Sequence, residues 1–151
     1  MAYEFSLKRR VEFHETDMAG IMHFSNYFRF MEVAESAFYR SLGFSVVMVE
    51  DGTGWPRVHV ECDYAKPLRF EEEVEIRLLV LEKRRRSVAY LFKFLKQEGG
   101  TTVVAARGKV VVVCAQLGSD GRLSSVALPA YFDEKVQTAP AELAAAWQAE
   151  K

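Results

Sequence analysis

The sequence predicts an α+β fold, a five-stranded antiparallel sheet wrapped around one long helix. One apolar stretch with helical spacing lies near the start of the 151 residues, and four β-prone runs joined by short turns follow it with no helix between them. Strands that follow a helix, instead of alternating with helices, build antiparallel sheets. The helix has so wide an apolar sector that the sheet must curve around it to cover it.

The first element is a short strand over 6–13, SLKRRVEF, with Leu7, Val11 and Phe13 apolar and a turn after it from His14 to Gly20. The helix follows over 26–42. Tyr27, Phe30, Met31, Ala34, Phe38 and Leu42 recur at its period, while Arg29, Ser36 and Arg40 fall off the stripe. Phe28, Val33 and Ala37 widen the apolar sector, which predicts a mostly buried helix. Ser25 or Asn26 offers a side-chain oxygen for the N-cap, and Gly43 stands where a C-terminal glycine belongs.

In WPRVHVECDY, 55–64, Val58, Val60, Cys62 and Tyr64 alternate with charged residues, the pattern of a half-buried strand, and Lys66-Pro67 ends it. The last three strands are expected over 71–82, 86–97 and 101–114, with Gly99-Gly100 as the hairpin turn between the final two. From Pro129 the tail reads as a short helix, and AELAAAWQAEK as a loose second one. One domain spanning 1–151 is expected, its core over about 5–135.

Composition narrows the function. Net charge is −1, so no basic field recruits nucleic acid or an anionic membrane. No window reaches the roughly 20 apolar residues of a membrane span. Cys62 and Cys114 form neither a zinc spacing nor a disulfide framework, and both read as reduced core residues of a cytoplasmic protein. No G-x-S-x-G elbow, P-loop, G-x-G-x-x-G or metal-ligand cluster appears, so neither cofactor nor metal is expected.

The chemistry concentrates in FHETDMAGIMHFSNYFRFMEVAE, 13–35. A helix N-terminus presents unpaired N–H groups and partial positive charge. With the helix starting near Ser25, amides around His23 to Asn26 suit a polarised carbonyl oxygen. Asp17 lies six to nine residues upstream, and Gly20 between them lets the chain reverse. A carboxylate beside such amides suits acyl-transfer hydrolysis, with Asp17 as nucleophile or as base on a water. From spacing alone, an Asp in such a glycine-containing turn is more often a turn or capping residue than a catalyst.

The same stretch closely resembles the opening motif of the hot-dog-fold acyl-CoA thioesterases of the 4-hydroxybenzoyl-CoA thioesterase family. Phe13, Glu15, Thr16, Asp17, Gly20, Ile21, Tyr27, Glu32 and Ala34 match it in register, as does a D-Y-x-x-P-L turn at Asp63 to Leu68. The resemblance covers roughly 5–135. It implies that Asp17 is the catalytic carboxylate, that the Phe24 backbone amide binds the thioester oxygen, and that the substrate is an acyl-CoA. It further implies a homodimer, possibly a dimer of dimers, with coenzyme A as part of the substrate.

Two positions depart from the family. The histidine that relatives carry seven residues after the Asp is His23 here, one place early, and Phe24 fills its position. The Arg after Glu-x-Ala is Glu35, which should change the local ion pairing. Gly20, Ile21 and Tyr27 are expected at the substrate. Arg84, Arg85 and Arg86, in the run after Lys83, are candidates for the CoA phosphates, and Ser87 for the thioester side. The alternative for that run is a solvated turn. His23 is a candidate for orienting the thioester or tuning Asp17; His14 and His59 read as structural. Glu32, a helix-borne carboxylate, is a rival to Asp17 that can instead pair within the helix. A non-catalytic acyl-thioester-binding module and a hot-dog hydratase or dehydratase are the alternatives to a hydrolase.

Overall fold

A computed structural model of the chain describes residues 2–48 and 50–149. Met1, Val49, Glu150 and Lys151, which the expected domain also spans, lie outside the described residues. Along the chain run β1 (Glu4–Arg10), a 3-10 turn (Phe13–Glu15), α1 (Asn26–Ser41), β2 (Thr53–Gly54), β3 (Arg57–Tyr64), β4 (Glu73–Lys83) and β5 (Ser87–Glu98). They are followed by β6 (Thr101–Val113), β7 (Ala115–Leu117), β8 (Leu123–Ser125), α2 (Ala130–Asp133) and α3 (Ala141–Ala149).

The expected five-stranded sheet is present in the order β1-β4-β5-β6-β3, antiparallel throughout. Gly99 and Gly100, both at positive φ, make the two-residue turn between β5 and β6. Alternate residues of β5, Val88, Tyr90, Phe92 and Phe94, face α1 and share one core with Phe30, Met31, Ala34 and Phe38. Gly108 of β6 lies under Met31, where a Cβ would overlap the Met31 side chain, so the missing side chain lets helix and sheet approach. The other face of the sheet carries α3, whose Ala144 and Trp147 pack with Leu79 and Ala139. The tail is therefore a docked helix as far as Ala149.

Four local expectations need correction. The first strand is 4–10, not 6–13, because Phe13 belongs to the 3-10 turn that starts the next loop. Ser25 occupies the N-cap of α1 but makes no side-chain cap bond, since its hydroxyl goes to His23. A second sheet, β2-β7-β8, has strands of two or three residues, too short for alternation to register in the sequence. The fourth concerns β3, expected to be half-buried. It is the sheet's edge, and Val58 and Val60 are 61% and 45% exposed within the single chain. A register shift at Val58 bends its first residues.

Among the described residues both cysteines are free, and no helix is long and apolar enough to cross a membrane.

Candidate active site

The segment between β1 and α1 folds as a small hairpin. The His23 N–H donates to the Glu15 carbonyl at 2.9 Å and the Asp17 N–H to the Ile21 carbonyl at 2.8 Å. Gly20 closes the turn at φ +79, a conformation that L side chains avoid, with its N–H on the Asp17 carbonyl. The capping expectation for Asp17 is met here. Its Oδ1 accepts the Ala19 N–H at 2.8 Å, which makes it the capping residue of its own turn. The same bond fixes the carboxylate's orientation and leaves Oδ2 without a hydrogen-bond partner among the described residues. Met22 N–H donating to the Leu68 carbonyl ties the hairpin to the turn before β4.

The start of α1 is tied to this hairpin by Asn26, whose side-chain amide donates to the Glu15 carbonyl at 2.8 Å. The Asn26 N–H donates to the His23 carbonyl at 2.9 Å, and the Tyr27 N–H reaches the Phe24 carbonyl at 3.4 Å. The Phe24 N–H itself has no acceptor among the described residues. A helix N-terminus is where such an orphan donor belongs. Asp17 and Phe24 open onto one cavity of about 410 Å³, together with Ile21, Tyr27, Tyr64 and Pro67. The walls are aromatic: Tyr64 meets Tyr27 edge-on at 4.8 Å, and Tyr27 meets Phe94 at 5.2 Å. Burial pushes the Tyr27 phenol up to about 12.

The structure therefore gathers Asp17, Ile21, Phe24 and Tyr27 at one place, with Gly20 shaping the turn. His23 is turned away from it. Its Nδ1 accepts the Ser25 N–H at 3.3 Å and hence the Ser25 hydroxyl at 2.8 Å, so the ring caps the helix entry and stacks on Phe24. Arg84, Arg85, Arg86 and Ser87 sit at the far end of β4, an 11-residue strand of about 35 Å that begins beside the Asp17 hairpin. There Arg84 pairs with Glu82 at 2.7 Å, and Arg86 bonds Ser125. Ser87 lines a separate small cavity on the sheet face opposite α1. Within one chain these four residues do not meet Asp17.

Glu32 is also elsewhere. It opens onto two cavities along the seam of α1 and β3, beside Glu35 and Arg57. His14 and His59 are exposed and lie near Glu12 and Glu61. Glu12, His14 and Glu15 come close enough to suggest metal ligands. Arg9 already pairs with Glu15 at 2.8 Å, however, and the other Glu15 oxygen accepts the Glu12 N–H.

Of the cavity residues that the sequence analysis did not assign to the site, Tyr64 is the one bonded to Phe24. The Tyr64 hydroxyl donates to the Phe24 carbonyl at 3.0 Å. The signal was its place at the end of the alternating run, on the face that Cys62 turns toward the core.

Residues 11–147 match the model of the thioesterase-like superfamily. A putative esterase of Aquifex aeolicus is 37% identical over 95 residues, which are 62% of this chain and 74% of that protein. The 4-hydroxybenzoyl-CoA thioesterase of a Pseudomonas species is 27% identical over 140 residues, 89% of this chain and 98% of its own. The crystal structure of the Pseudomonas enzyme superposes with a TM-score of 0.79 at 24% identity, covering 88% of this chain and 99% of that one, a likeness of fold. The fold of the chain is the hot-dog fold.

Proposed function

The chain belongs to the thioesterase-like superfamily as a thioester hydrolase, and from that premise we propose that it hydrolyses an aromatic or short- to medium-chain aliphatic acyl-CoA at Asp17. The observation that carries this reading is a single cavity holding a fixed carboxylate and an unpaired helix-terminal N–H, Asp17 and Phe24. The Phe24 N–H donates to the thioester oxygen, which gains charge in the transition state, where such a donor acts most strongly. As a base, Asp17 takes a proton from water while the water oxygen bonds the carbonyl carbon. The oxyanion then collapses, the C–S bond breaks, and the CoA thiolate leaves with the proton. As a nucleophile, Asp17 displaces the thiolate to form an acyl-aspartyl anhydride that water hydrolyses. Ile21, Tyr27, Tyr64 and Pro67 offer apolar walls for the acyl group.

The proposed assembly is a homodimer, or a dimer of dimers, joined along β3. An antiparallel pairing of two β3 edges sets the Arg57 end of one against the Tyr64 end of the other. Ser87 and Arg57 flank neighbouring residues of β6, Val113 and Val112, so they share an end of the sheet. The pairing thus carries the Arg84–Ser87 hairpin of a second copy toward the end where Asp17 lies, which supports its arginines as phosphate contacts. Two free cysteines accord with action in the cytoplasm.

The test is thiol release from benzoyl-, hydroxybenzoyl-, phenylacetyl- and short- to long-chain acyl-CoAs, run beside Asp17→Asn. The Asn oxygen can still accept the Ala19 N–H, so the turn should survive. Loss of kcat by about 10²-fold or more is expected. A comparable kcat removes Asp17 from the mechanism, and a wild type silent on every substrate removes the hydrolase.

A further inference from the structure

We propose that Tyr64 is a positioning residue for the oxyanion site: its hydroxyl, reaching across from β3, clamps the turn at Phe24 and holds the Phe24 N–H toward the cavity. This inference rests on the assignment of Asp17 and Phe24 above.

The Phe24 N–H lies in the plane of the His23–Phe24 peptide, which can turn about the Phe24 Cα relative to the peptide that carries the Phe24 carbonyl, so both peptides must be held to aim it. The peptide before Phe24 is held through the His23 carbonyl, which accepts the Asn26 N–H at 2.9 Å. The peptide after Phe24 has a weaker tie within the helix, since the Tyr27 N–H stands 3.4 Å from the Phe24 carbonyl. The Phe24 side chain adds little anchorage. It is 63% exposed and stacks on the exposed ring of His23. The short bond to the Phe24 carbonyl is the one from Tyr64, 40 residues away at 3.0 Å.

Tyr64 is well placed to hold that bond. Its ring is fixed edge-on to Tyr27 at 4.8 Å and 89°, and Tyr27 is itself packed on Phe94. The hydroxyl is therefore not needed to locate the ring, which separates its role from packing. Burial, then the Cys62 thiol, push the phenol up to about 12, so it stays a donor across the neutral range. The chemistry is that of a carbonyl clamp: one neutral O–H bond, worth about tenfold in rate if it is made only to keep a donor aimed.

Tyr64→Phe removes the hydroxyl and keeps the ring. The probe is whichever of benzoyl-CoA, 4-hydroxybenzoyl-CoA or hexanoyl-CoA the wild type hydrolyses fastest. We expect kcat to fall about tenfold or more, with KM within about twofold and Tm within a few degrees. A spectroscopic arm reads the donor directly. The thioester carbonyl stretch of the same acyl-CoA bound to Asp17→Asn should lie below its free value, and return toward it in Asp17→Asn/Tyr64→Phe. A kcat within twofold of wild type overturns the proposal. So does an unchanged carbonyl stretch, or a fall in Tm with a raised KM and an intact stretch, which assigns Tyr64 to packing alone. A wild type that releases no thiol overturns the hydrolase itself; an active wild type with an indifferent Tyr64→Phe overturns only the clamp.

Discussion

Arg57 of β3 grips Glu35 of α1 with both terminal nitrogens, Nη1 donating to Oε1 at 3.1 Å and Nη2 lying 2.9 Å from Oε2. Glu35 is 1% exposed, and it stands where the resemblance places an arginine. The altered ion pairing expected at that position is thus a helix carboxylate held by an edge-strand guanidinium. Burial outweighs the pull of Arg57 and pushes the Glu35 carboxyl up to about 7.

A raised acid has a definite consequence for stability. Between about pH 4.5 and 7 the folded chain keeps a proton that the unfolded chain has released. The contribution is whole below the lower value and is lost as pH rises through the upper one. Denaturant midpoints measured from pH 5 to 8 should fall more steeply for wild type than for Glu35→Gln, by about 1–3 kcal/mol over the range. Arg57→Met should cost several times more at pH 8 than at pH 5, because only the ionised carboxylate is stranded by losing its partner. Parallel curves for wild type and Glu35→Gln would remove Glu35 as the source of the slope.

Tyr39 and Tyr90 share a hydroxyl–hydroxyl bond of 2.7 Å with no exposed surface on either ring. Removing one hydroxyl strands the other in a fully buried site, while removing both strands nothing. Tyr39→Phe and Tyr90→Phe should each lose about 1–3 kcal/mol of unfolding free energy, and the double Phe variant clearly less than their sum. Additive losses would show that the pair is not a closed unit.

The helix and its glycine stop are legible in the sequence because Tyr27, Phe30, Met31, Ala34 and Phe38 keep one period within a helix of 16 residues, and the structure buries all five. Asp17 is a different case. Spacing leaves it divided between cap and catalyst, and the structure shows that one oxygen caps while the other stays open. The N-cap of α1 is misread because a serine at the right position implies a bond to its own helix, and no spacing announces that His23 will take its hydroxyl. Tyr64 and Arg57 are missed for a related reason. Their partners Phe24 and Glu35 lie 40 and 22 residues away, so the contacts exist only after β3 has been laid along β6.

Gly108 of β6 lies directly under Met31 of α1. A methyl group there would overlap the Met31 side chain, itself 1% exposed. Gly108→Ala should therefore destabilise the fold by about 1–3 kcal/mol as Met31 is driven from its place. Combined with Met31→Ala, whose cavity can receive the new methyl, it should cost less than it does alone, a coupling that a double-mutant cycle reads directly. Equal costs in both backgrounds would mean that the sheet, not Met31, gives way.

The edge strand β3 supplies the last prediction, which bears on the proposed dimer. Its apolar residues Val58 and Val60 stay exposed in the single chain, while its neighbour β6 is paired on both sides. An exposed apolar edge is a template for pairing with another chain, and a charge on it opposes that pairing. Val60 faces the α1 seam beside Arg57, so Val60→Lys adds a second cation there without disturbing a buried contact within the chain. We expect Val60→Lys to convert the dimer to a folded monomer by light scattering, with circular dichroism unchanged. If the Arg84–Ser87 hairpin of a second copy meets the CoA phosphates, the monomer should also show a KM for acyl-CoA raised about tenfold or more, and the wild-type KM should rise with salt. A Val60→Lys protein that remains a dimer places the interface elsewhere; a monomer with an unaltered KM leaves the hairpin arginines as a solvated turn.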